Sequence, residues 1–235
     1  MSTDVSISYL VKTKTYSVDY ALGAENTETY LYDSLNRIIK VTNSISQAYD
    51  TFIYTNDTLF ISKFSSDTAG QSISLNKIQL NNRKLAVERL QPYPNRIIDI
   101  SEQWKYDNND FLKYYSYSVT DYITDDTITN DGKNIIQKKG FSSGLAGTIY
   151  FTTTYAYYTN ANTIDNNNFG KYYLGKDSKD LIRSKTTKSV NTFINPTIYN
   201  TSTTYYTYEF DNFGRVITQY AKTDNFPSKK TTFTY

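Results

Sequence analysis

Along most of the chain, aromatic and aliphatic side chains recur two positions apart over short runs, the period at which a β-strand returns its side chains to one face. Three of these runs share one template: Tyr30/Tyr32, Trp104/Tyr106 and Tyr208/Phe210 are each followed by an aspartate. A small residue stands three positions after that aspartate and an aliphatic two beyond it. Asp33, Asp107 and Asp211 sit where an Asx side chain accepts hydrogen bonds from the turn backbone. Asn36, Asp110 and Gly214 occupy the position that needs positive φ, which these residue types tolerate best. The pattern predicts hairpins built on a type I turn closed by a left-handed residue.

Shorter hairpins are expected at Asn56-Asp57 and Asn81-Asn82, each with a two-residue turn, and at Asn130-Asp131-Gly132. Linked in this way, the strands make a single all-β domain over residues 1–235. It is an antiparallel meander of roughly ten to fourteen strands forming an open curved sheet or partial barrel. The terminal run Lys230 to Tyr235 keeps the alternation and is expected to pair within the sheet. Two stretches interrupt the pattern. Gln91 to Asn95 carries two prolines, which remove ladder donors. Asp165 to Asn168 can cap a short helical insertion near 165–175 that Gly175 would end. Gly140 to Gly147 reads as a flexible loop before a strand from Thr148 to Tyr158, since it lacks the lysine of a phosphate loop.

Composition agrees with strands: 25 tyrosines and 33 threonines make up about a quarter of the 235 residues, and both types favour pleated sheet. Histidine and cysteine are absent, which excludes zinc fingers, cysteine–histidine dyads and serine–histidine triads. A net charge of +2 is far from the basic excess that nucleic acid binding needs. No stretch approaches the roughly 18 apolar residues of a membrane-spanning helix, so no transmembrane segment is expected.

The units Tyr32 to Ile38 and Phe210 to Val216 resemble the tyrosine–aspartate (YD) repeats of RHS-type and teneurin shell proteins, whose core is Tyr-Asp-x-x-Gly-Arg followed by an aliphatic. Asn36 replaces the glycine in the first unit and Asp110-Phe111 replaces Gly-Arg in the second, so the repeats are degenerate. Tyr173 to Leu181, followed by the last unit, is similar to the carboxy-terminal half of surface lipoproteins of Gram-negative bacteria. That resemblance implies export to the outer membrane, cell surface or periplasm, with a lipid anchor upstream of residue 1. It brings no catalytic residues.

Chemistry without histidine or cysteine falls to carboxylates. Glu102 beside Trp104 has the composition of a glycosidase site, but Glu209 holds the matching strand position before its own turn, so a recurring polar position accounts for both. Asp125-Asp126 with Asn130-Asp131-Gly132 lacks the oxygen ligands of a calcium loop, and neither metal nor cofactor is expected. Trp104, Tyr155, Tyr157 and Tyr158 are the candidate ligand contacts, because such rings suit sugars and protein partners. The sequence thus predicts a non-enzymatic envelope protein that binds a glycan or a protein. The alternatives are a scaffold subunit of an outer-membrane assembly and a carboxylate glycoside hydrolase.

Overall fold

The computed structural model describes residues 10–17, 25–65, 72–89, 100–145, 147–159, 171–174, 176–193, 197–224 and 226–235. Sixteen strands follow one another in the chain. They are β1 (Thr13–Ser17), β2 (Glu25–Tyr32), β3 (Ile38–Asn43), β4 (Tyr49–Tyr54), β5 (Thr58–Phe64), β6 (Ser72–Leu80), β7 (Ala86–Arg89) and β8 (Ile100–Tyr106). The second half comprises β9 (Leu112–Val119), β10 (Tyr122–Asn130), β11 (Ile135–Gly144), β12 (Gly147–Tyr157), β13 (Ile182–Asn191), β14 (Ile198–Phe210), β15 (Val216–Thr223) and β16 (Lys229–Thr234). Each pairs antiparallel with its neighbours in sequence, and β1 pairs with β16, so the sheet is a closed barrel. The expected open sheet or partial barrel is therefore corrected: Thr13↔Thr234 and Tyr16↔Thr231 join the ends, and closure removes both edges. The terminal strand pairs on both sides, with β15 and β1.

The Asp-led turns form as the residues dictate. In the first, Asp33 Oδ1 accepts the Leu35 and Arg37 N–H groups, both at 2.9 Å. Asn36 lies at φ 61°. The second and third repeat this with Asp110 at φ 68° and Gly214 at φ 77°. Asn81-Asn82 is not the expected two-residue turn but a fourth copy: Asn81 Oδ1 accepts the Arg83 and Leu85 N–H groups and Lys84 takes the positive φ of 64°. Asparagine offers the same acceptor oxygen as aspartate, and lysine tolerates the strain that was expected only of Asn, Asp or Gly. A β-bulge adjoins all four turns. Arg37 and Arg215 each clamp the Oδ2 of their own turn aspartate through Nε and Nη2, all at 2.7 Å.

Two further expectations are revised. Gly140 to Gly144 belongs to β11 rather than to a loop. Gly140 faces Asp126 across the ladder, and a Cβ there would lie 2.2 Å from the Asp125 carbonyl oxygen and 2.4 Å from Asp126 Oδ1, so the glycine serves close packing within a strand. The helical insertion survives, among described residues, as a 3₁₀ turn at Tyr172–Leu174; its proposed cap at 165–168 and the proline pair at 92–94 lie outside the described residues.

Alternation gives the wall two unlike faces. Buried Asn26, Tyr30, Ile38, Phe52, Leu59 and Ile78 mark the inward positions. Outward positions carry threonine on β1, β2 and β16, where Thr13 opposes Thr29 and Thr234 while Thr15 opposes Thr27 and Thr232. Hydroxyl pairs Thr13–Thr234, Thr15–Thr27 and Thr186–Thr203, at 2.8–3.0 Å, link outer neighbours. Lysines also point outward, among them Lys77, Lys105, Lys139, Lys188 and Lys230. Transmembrane strands run to about 9–11 residues; among the described residues β6 and β10 to β14 have 9 to 13, and β3, β4 and β16 have 6 each. Exposed Leu31, Ile53, Ile123, Tyr150 and Tyr205 stand on the same outer face. Among the described residues no helix is long and apolar enough to cross a membrane.

Among the described residues β7 and β8 pair in register at Glu88↔Gln103. Beside that pair, Arg89 Nε and Glu102 Oε2 form an ion pair at 3.1 Å with both side chains largely buried. Arg89→Met leaves Glu102 without its cation, and a stability loss of about 3 kcal/mol is expected in urea unfolding followed by circular dichroism. Gly140→Ala forces β10 and β11 apart and should cost about 1–3 kcal/mol in the same assay.

Acid should act on the turns. Against an upward push from desolvation, backbone and guanidinium donors hold the Asp33 and Asp211 carboxyls below their ordinary 3.8. A lowered folded pKa contributes stability that is complete above the unfolded value and lost as pH falls through the folded one. The stability gap between wild type and an Asp33→Asn, Asp211→Asn double variant should therefore narrow on going from about pH 5 to about pH 2, measured by urea midpoints.

Candidate functional site

Every connection from an even strand to the next odd one lies at the same end of the barrel, together with the start of β1 and the end of β16. Inward residues near this end are large and apolar. Val11, Tyr30, Ile38, Phe52, Leu59, Ile78, Leu80, Ala86 and Trp104 form one buried cluster. Sixteen strands enclose more width than wall side chains can fill, and the connection between β12 and β13 supplies the difference. Its Tyr173, 6% exposed, belongs to the same cluster, with Leu174 packed against it.

Residues 171–181 are stitched to the turns around them and act as a plug. The Tyr106 hydroxyl donates to the Tyr173 carbonyl at 3.1 Å, and the Lys176 N–H donates to the Asp110 carbonyl at 2.8 Å. Ser178 Oγ accepts the Ile135 N–H at 2.9 Å and meets the Tyr157 hydroxyl at 2.8 Å. Asn134 and Asp180 exchange two hydrogen bonds, Asn134 Nδ2 to Asp180 Oδ2 at 2.9 Å and Asp180 N–H to Asn134 Oδ1 at 3.0 Å. Lys133 closes on Asp180 Oδ1 at 2.7 Å.

Beside the apolar cluster the inner wall carries paired charges. Lys14 opposes Glu28, Asp50 opposes Lys63 and Asp126 lies beside Lys138. Burial pushes the Asp50 carboxyl above its ordinary value, partly offset by Lys63. Around Glu102 the network is dense: Tyr115 donates to Oε1 at 2.8 Å, while Arg89 pairs with Oε2 at an angle too oblique for a hydrogen bond. Burial and then Glu102 drive the Tyr115 hydroxyl upward. Asp126, 2% exposed, gives Oδ2 to Lys138 at 2.7 Å. Its Oδ1 lies in the space above Gly140 with no hydrogen-bond partner.

Between the plug and the wall of β1, β13, β14, β15 and β16 lies a cavity of about 220 Å³. Val11, Val216, Leu181 and Phe233 line its apolar side; Lys14, Asp177 and Gln219 are among its polar groups. The Tyr208 hydroxyl, which donates to the Ile182 carbonyl at 3.0 Å, and the Tyr235 hydroxyl, which donates to the Val216 carbonyl at 3.0 Å, are both pushed up by burial to about 12. These tyrosines are frame rather than acid–base groups at neutral pH.

The sequence-predicted contacts occupy different places. Trp104 is buried at 7% in the floor, its ring 5.9 Å from Tyr115. Tyr155 and Tyr157 face inward on β12, two positions apart, and the extra residue of the bulge opposite them, Arg183, lies on β13. The Tyr157 hydroxyl donates to the Ile135 carbonyl at 2.5 Å. Tyr158 packs edge-on against Tyr208 at 6.3 Å and donates to the Tyr206 carbonyl. β12 and β8 are four places apart in the ring, so strand pairing does not bring Trp104 to the tyrosines. Glu209 points outward and accepts from Tyr220, whereas both oxygens of Glu102 are engaged. Among the described residues no three carboxylates gather as a metal site. Sequence reasoning missed Lys14, Asp177, Gln219 and Phe233, whose meeting depends on ring closure and on the plug.

No family model matches the chain and no curated protein does. The crystal structure of a porin-like protein from Bacteroides uniformis is similar to it over 96% of both chains, with a TM-score of 0.66 at 16% sequence identity. The chain thus shares the barrel fold of that porin-like protein.

Proposed function

We propose that this chain is a non-enzymatic barrel of the cell envelope, exported, standing in water beside the membrane, and binding a ligand on its inner wall. The porin-like neighbour supports the envelope setting, as does the resemblance of residues 173–181 to surface lipoproteins. The observation that carries the reading is the contrast between the two faces. Threonine and lysine share the outside with exposed aliphatic and aromatic side chains, while a plug, an aromatic floor and paired charges shape the inside. Catalysis is disfavoured because the carboxylates of the inner wall are largely spent on lysine, arginine and tyrosine.

The test is behaviour toward lipid. Purified without detergent, the barrel should remain folded and monodisperse, fail to float with liposomes and produce no conductance steps in a planar bilayer. Stable insertion with channel activity would overturn the reading.

A further inference from the structure

The cavity beside the plug has an imbalance of charge. Asp180 is held by Asn134 and Lys133, and Ser178 by Tyr157 and the Ile135 N–H. Gln219 donates to the Tyr208 hydroxyl at 3.3 Å. Lys14 lies 3.9 Å from Glu28 and over the Tyr16 ring. Asp177 differs from all of them. Its Oδ1 accepts the N–H of the adjacent Ser178 at 2.7 Å, and among the described residues no lysine or arginine forms an ion pair with it. The surrounding protein raises its carboxyl pKa by burial, with Ser178 alone acting the other way. Yet the side chain is exposed, because the space beside it is the cavity.

A carboxylate without a counter-ion attracts a cation, and Asp177 shares its cavity with the apolar and aromatic walls of Val216, Phe233 and Tyr208. A partner that fits must bring a positive charge and donors at one end and an apolar body behind it. At about 220 Å³ the space falls below the ~300 Å³ at which drug-sized ligands begin. We propose that this cavity binds a small organic ammonium ion, a protonated primary amine on a compact apolar or aromatic body, with Asp177 as its counter-ion. The proposal rests on the inner-wall binding reading and names the ligand class.

The probes are 2-phenylethylamine and its neutral analogue 2-phenylethanol, titrated calorimetrically into the whole chain at neutral pH. The amine should bind at least about tenfold more tightly, a difference of ~1.4 kcal/mol. Asp177→Asn should erase that preference while leaving the weak affinity for the alcohol unchanged. Equal affinity for the two probes on the wild-type protein, or an amine preference that survives Asp177→Asn, would overturn the proposal. Binding of the alcohol without charge preference would leave the inner-wall reading standing, whereas liposome insertion would remove that reading itself.

Discussion

Everything in this molecule depends on the hydrogen bonds between the first strand and the last. A sixteen-strand sheet left open would present two rows of unpaired amides and carbonyls to solvent, a template for aggregation. Pairing β1 with β16 satisfies those groups and also divides space into an inside and an outside. Side-chain alternation then acquires a meaning it lacks in an isolated hairpin. One face of every strand looks outward, and the other meets a lumen too wide for the wall to fill. The plug answers that second condition, and its carbonyl and amide bonds to the 107–111 and 131–134 turns hold it in place.

The hairpins were legible because their information is local. An aspartate that accepts two backbone N–H groups, and a residue that tolerates positive φ, specify a turn within five positions. Asn81 and Lys84 escaped recognition because the turn requires an acceptor oxygen and a left-handed residue, not particular letters. Closure was illegible for the opposite reason. Whether sixteen twisted strands meet depends on the summed stagger and tilt of all of them, which no single hairpin reveals. Gly140 misled similarly: a glycine in a flexible loop and one making room for a neighbouring aspartate look alike in the sequence.

The site was legible only in outline. Alternation separates Phe151 and Tyr155 from Tyr150 on β12, but which of the two sets faces inward follows only from closure. What those tyrosines meet was not legible either. Lys14, Asp177 and Phe233 come from the two ends of the barrel sequence and from the plug, and their approach follows from closure rather than from spacing. Glu102 stood out beside Trp104, yet its role appears only with Arg89, an ion-pair partner on the neighbouring strand.

Both ends of the barrel chain emerge beside the plug, where the Lys12 N–H donates to the Thr234 carbonyl at 2.7 Å. Seen as a mechanical object, the barrel has one handle. A tether joined at either end would pull on adjacent strands of one hydrogen-bonded seam, loading it in shear along their length. It would seat the plugged end toward the point of attachment and aim the opposite end at whatever lies beyond.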